Sequence, residues 1–199
     1  MRKSSSLFWS ITSASLAYAT LRYNVFKGVA WSDWPVFALN KALALSSLLL
    51  LVAWVLRGRR GASGSQSALL AAASRTLLAH IVLSLVLLTP VYFPASFAGG
   101  RLTWQAGTAV LLGVAAAVGL SAAGRPADGP RTRRRALGAV AWAAGCHAAM
   151  FGYSSWFTPS AWPGYLPPIT LVAFVAGLAG FAAALGRPPD SPGAAPRPS

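Results

Sequence analysis

Two histidines, His80 and His147, are the only ones in the chain, and each falls near the middle of an apolar run: SRTLLAHIVLSLVLLTPVYF and RRRALGAVAWAAGCHAAMFGYSSWF. A neutral imidazole carries one donor and one acceptor nitrogen, and hydrocarbon supplies a partner for neither, so a histidine at that depth is by default a functional residue. Imidazole is also the commonest metal-binding side chain, and two of them at one level would clasp an ion from opposite sides. Two neighbours add to this set. Arg75 lies five residues before His80, where it would pair a carboxylate or snorkel to the interface. Cys146 adjoins His147; as a single cysteine it forms no internal disulfide and no CxxC pair, and buried thiols of this kind usually serve packing. Copper or zinc held by the two histidines and Cys146 is short of ligands for a closed site.

The elements that carry these residues are membrane helices. Of the 199 residues, 55% are hydrophobic and 10% charged, and the mean hydropathy is +0.55, more apolar surface than a soluble core hides. The formal charge of +14 comes from 17 basic against 3 acidic residues. The arginines are bunched in short loops between apolar runs and form no stripe on a soluble domain, which excludes nucleic acid as partner and points to the lipid bilayer. Apolar runs predict an all-α membrane protein, a six-helix bundle with spans at about 7–24, 36–56, 68–88, 102–123, 136–157 and 169–185. The first of these is serine-rich, and its rival reading is a signal peptide with Arg2 and Lys3 as the positive region and Ala17-Tyr18-Ala19 before the cleavage site. The bundle makes one domain over residues 1–187, followed by a Pro-rich tail, 188–199, read as disordered.

Charge then orients the spans. Arg2 and Lys3, Arg57 with Arg59 and Arg60, Arg125 with Arg131 and Arg133 to Arg135, and Arg187 all fall on one side, whereas VFKGVAWSDWPVFALNK, VYFPASFAGGR and the uncharged TPSAWPGYLPP fall on the other. The positive-inside rule places both termini in the cytoplasm. The third and fifth spans then run in one direction, with His80 about 12 and His147 about 11 residues into them; at ~1.5 Å per residue the rings share a depth. No span holds an acidic residue for a proton relay. Two imidazoles at one level are what axial ligation of a haem iron requires, and Gly145 with Ala79, Ala143, Ala144 and Ala148 leaves room for a flat macrocycle or for plain helix packing.

The block RRRALGAVAWAAGCHAAM, with its Arg134-Arg135-Ala136-Leu137-Gly138 segment ahead of His147, resembles the histidine-bearing helix of the ferric reductase-like transmembrane domain family. YNVFKGVAWSDWPVFALNKALAL and FGYSSWFTPSAWPGYLPPITLVAF are similar to stretches of its small bacterial members that consist of the membrane domain alone. The resemblance covers most of residues 20–186. It implies a six-helix bundle whose third and fifth helices carry the haem ligands, here His80 and His147 with Arg75 as a propionate contact. Where two-haem members carry a second histidine some 13 residues from the first, this chain has Ser67, Phe93, Pro94, Arg134 and Ser160, so the resemblance implies one haem b at most. No GxGxxG ahead of a strand and helix pattern marks a flavin or nicotinamide domain.

The resulting expectation is a multi-pass protein of the bacterial inner membrane, an electron-transfer subunit of an oxidoreductase. It would take electrons from a cytoplasmic flavoprotein or a quinol and pass them to an acceptor outside. A membrane scaffold that retains the bundle without haem is the alternative from another class; a small transporter is weaker, because only Lys41 and Arg75 put charge within the spans.

Overall fold

The computed structural model describes residues 2–58, 66–123 and 129–186. Arg59 and Arg60, most of the loop after them, Arg125, Arg187 and the tail 188–199 lie outside those residues, as do the readings made on them.

The described residues form six α-helices, α1 (Arg2–Thr20), α2 (Asn40–Gly58), α3 (Gln66–Leu87), α4 (Trp104–Ala123), α5 (Pro130–Gly152) and α6 (Ile169–Leu185). The segments Pro35–Arg57, Ser67–Leu87, Trp104–Ala123 and Pro163–Leu185 are each long and apolar enough to cross a membrane. Four such segments mark a membrane protein. Among the described residues α1 and α5 fall short of that measure, α1 because serines dilute it and α5 because Arg131, Arg133, Arg134 and Arg135 occupy its first turns.

Helix α5 begins at Pro130 and ends at Gly152, where the sequence places a span at 136–157. Proline at the first helical position has its φ preset and lacks only an N–H that would be unpaired there, and arginine is a good helix former whatever its hydropathy. The run expected as loop is therefore helix. At the other end, the chain leaves α5 at Gly152 for short 3-10 turns at Tyr153–Ser155, Pro159–Ala161 and Pro163–Tyr165, an ordered connection to α6. A widened π-type turn, Leu21–Phe26, extends α1 past the expected limit at 24, and another, Pro35–Leu39, leads into α2. The fourth span starts at Trp104 because Leu102 belongs to a two-stranded ribbon: Phe97–Ala98 pairs antiparallel with Arg101–Leu102. Gly99 and Gly100, both at positive φ, make its turn, the conformation that suits the twist of a two-residue hairpin.

Helix α2 is the central element and packs on α1, α3, α5 and α6, with Leu48, Leu50, Leu51, Val52, Trp54 and Val55 buried. The closest pair is α5 with α6, where small residues bring the backbones together. A Cβ on Gly177 would stand 2.5 Å from the Ala141 carbonyl oxygen, and one on Gly138 would stand 2.3 Å from the Cβ of Ala184. Helix α4 packs on α5. Helix α3 lies along α2 and makes only sparse contact with α4 and α5.

The two ends of the bundle are held differently. At the arginine end, Arg133 Nε donates to the Ala123 carbonyl (2.9 Å), and an Arg134 guanidinium N–H donates to that of Gly186. The start of α5 thus caps the C-termini of α4 and α6, where helix dipoles favour a cation. At the aromatic end, the Tyr18 hydroxyl donates to the Pro167 carbonyl (2.6 Å), Arg22 donates to that of Leu166, and Trp34 Nε1 donates to Thr20 Oγ1 (3.0 Å). These bonds tie α1 to the approach of α6 and to the entry of α2.

A candidate metal-binding histidine pair

The histidines meet between α3 and α5. His80 projects from α3 and His147 from α5, with ring centres 6.4 Å apart and ring planes at 79°. Helix α5 achieves this by using two faces. Gly138, Ala141 and Gly145 turn to α6, while Val140 and His147 turn to α4.

Each ring is fixed through the same nitrogen. His147 Nδ1 lies 2.7 Å from the Ala109 carbonyl oxygen on α4, which can only accept, so this nitrogen carries the proton. Gly113, one turn beyond Ala109, makes the approach possible: a Cβ there would stand 3.0 Å from Nδ1. His80 Nδ1 lies 2.7 Å from Asn40 Oδ1 and 3.2 Å from the Asn40 carbonyl oxygen, again acceptors. Ser84 Oγ, one turn along α3, donates to the same Oδ1 (3.1 Å) and steadies the amide. Asn40 itself is buried, and its N–H closes the widened turn by donating to the Pro35 carbonyl. Widened turns of this kind recur at functional sites because they re-aim one side chain without ending the helix.

With Nδ1 donating, each imidazole in the neutral form that hydrocarbon favours keeps its Nε2 lone pair in hand. Neither Nε2 has a hydrogen-bond partner among the described residues. A carbonyl or amide oxygen on the far nitrogen is the usual way a metal-binding histidine is oriented and made more basic. The spacing fits as well. An imidazole nitrogen lies just over 1 Å from its ring centre and binds a first-row metal at about 2.0 Å, so two rings on opposite sides of one ion have centres roughly 6.3 Å apart. Phe151, one turn beyond His147, stands edge-on to that ring at 5.4 Å and closes one side of the site.

The other residues singled out in the sequence do not join the pair. Arg75 is exposed on α3 and forms no hydrogen bond or ion pair with a described residue. Cys146 is half-buried with a free thiol, and no group of three His, Cys, Asp or Glu side chains converges anywhere among the described residues, which removes the closed copper or zinc site. Asn40, Ser84, Ala109 and Gly113 were not read from the sequence as site residues. One signal did exist for Asn40: it is one of two asparagines in the chain and lies at the edge of an apolar run.

The fold is that of a helical membrane protein in which two histidines from separate helices meet. A scan of protein-family models finds no match to the sequence, and a search of curated proteins finds no significant relative.

Proposed function

We propose that this protein is a membrane b-type haem protein that carries electrons across the bilayer, with His80 and His147 as the two axial ligands of a single haem iron. The observation that supports this most is the commitment of both Nδ1 atoms to oxygen acceptors while the ring centres stand 6.4 Å apart. The sparse contact of α3 with α4 and α5, and the small residues Ala143 and Ala144, are compatible with a flat macrocycle there, and the resemblance of residues 133–150 to ferric reductase-like membrane domains points the same way. When bound, haem supplies a one-electron iron couple that needs no proton from the chain.

The protein's own part is to hold and insulate. Asn40 and the Ala109 carbonyl fix both rings as neutral donors, so no charge is stranded in hydrocarbon when iron is absent. The helices keep water from the iron. In this reading all six helices span the bacterial inner membrane with both termini in the cytoplasm, and the arginine end faces inward, where basic residues are retained. Donor and acceptor are separate molecules: a cytoplasmic flavoprotein or membrane quinol on one side, and an external oxidant on the other.

Vesicles test the transfer step. Protein reconstituted into liposomes that enclose ferricyanide, with dithionite outside, is expected to bleach the ferricyanide faster than empty liposomes do, and His147→Ala is expected to remove the excess. Haem-loaded protein that gives no excess rate would overturn electron transfer and leave a haem-binding scaffold.

A further inference from the structure

Lys41, a half-buried lysine in the first turn of α2, has no acceptor for its protons among the described residues. Lys41, in α2, holds its ammonium over ring faces, 4.9 Å from the centres of Tyr23 and Phe37 and 6.0 Å from that of Phe93. Ring faces attract a cation, but they offer no lone pair to three N–H donors. No carbonyl, hydroxyl or carboxylate among the described residues bonds to it. Asp33, the only acidic side chain described, forms no ion pair with it.

A second cation makes this environment less favourable. Lys27 stands over the same two rings, 5.9 Å from the centre of Tyr23 and 6.0 Å from that of Phe37. Two ammonium groups on one aromatic wall repel each other unless an anion lies with them. The buried arginines are treated otherwise: Arg22 donates to Leu166 and Arg134 to Gly186. A carbonyl oxygen accepts from each of those guanidinium groups, whereas the Lys41 ammonium is supplied with aromatic walls alone.

Its position gives the site a purpose. Lys41 follows Asn40, the residue that holds His80. Its side chain reaches toward the aromatic end, since Phe37 is one turn nearer that end of the helix. Arg75 lies on the other side of His80, toward the arginine end, and is exposed.

We propose that Lys41, assisted by Lys27, is a carboxylate-binding site, and that the carboxylates it takes are the propionates of the haem, which then point to the aromatic end and away from Arg75. This inference rests on the haem reading above. An anionic phospholipid headgroup offers similar oxygen chemistry, and the experiment separates the two.

The test is a comparison of porphyrins. Purified apoprotein is titrated with haem and with haem dimethyl ester, in which both carboxylates are blocked, and affinity is read from the absorption change. Wild type is expected to bind haem roughly tenfold or more tighter than the ester, the worth of a charge-assisted hydrogen bond. Lys41→Gln is expected to bind both alike, Lys41→Arg to keep the preference, and Arg75→Gln to keep it as well. Thermal melting of each apoprotein shows that the variants remain folded, and Lys41→Arg carries the test if Lys41→Gln does not fold. A preference that survives Lys41→Gln, or that Arg75→Gln abolishes, overturns the assignment. Equal binding of the two porphyrins by wild type, with anionic phospholipid retained by wild type and lost from Lys41→Gln, overturns it in favour of a headgroup phosphate. Binding of neither porphyrin overturns the haem reading itself, a result distinguishable from all of these.

Discussion

Helix α5 faces two neighbours on opposite terms. Against α6 it presents Gly138, Ala141 and Gly145, and the facing Gly177, Gly180 and Ala184 let the two backbones approach so closely that a single added methyl group has no room. Toward α3 it presents His147, whose ring meets that of His80 where the two helices make only sparse contact. Small residues favour contact where the partner is also small and flat, and the same residue types leave space where the opposing helix stays back. The contrast shows that composition alone does not distinguish a packing face from a ligand slot. The distinguishing feature is a polar side chain with its far nitrogen already committed.

Substitutions that fill space should separate the two faces most sharply. Gly177→Val places carbon atoms against the Ala141 carbonyl, and the loss of stability should reach about 3 kcal/mol or more, at the upper end for overpacking. Val86→Leu, on the exposed side of α3, should change stability by less than about 0.5 kcal/mol. Thermal denaturation in detergent checks both, and equal effects would erase the distinction between the faces.

Arg134→Ala tests the end of the tight face. Without the guanidinium the Gly186 carbonyl at the end of α6 loses its donor, and the expected cost is about 1–3 kcal/mol in the same melting assay. At the face toward α3 the effects should appear in ligand binding with the fold intact. Asn40→Ala removes the oxygen that orients His80 and should lower haem affinity about 10- to 100-fold. Gly113→Ala should do less: a Cβ at 3.0 Å from His147 Nδ1 displaces the ring slightly, and a shift of the reduced absorption bands with a smaller loss of affinity than Asn40→Ala is expected.

One side of the tight face was legible in the sequence, because the apolar run at 169–185 coincides with α6. The start of α5 was not, because a hydropathy reading treats Arg131 to Arg135 as loop although arginine favours helix and here caps two neighbouring helices. The histidines stood out by type and depth. Asn40 did not, since nothing along one chain says that α2 lies beside α3 at that level. Arg75 lies five residues before His80 on α3, which is not a helical repeat, so its exposed side chain stands on a different face from the ring. Lys41 was noted only as a charge in a span. The aromatic wall around it joins Tyr23, Phe37 and Phe93, which are separated in the chain and brought together by the fold.

The central claim is that the two imidazoles share one iron, and a dithionite-reduced minus oxidised absorption spectrum of the detergent-purified protein tests it most directly. Wild type is expected to show the sharp reduced bands of a six-coordinate b-type haem at one per chain. His80→Ala and His147→Ala, each still folded, are expected to lose them separately. Folded wild-type protein that shows no such bands after purification and after addition of haem, or either single variant that retains them unchanged, would contradict the account.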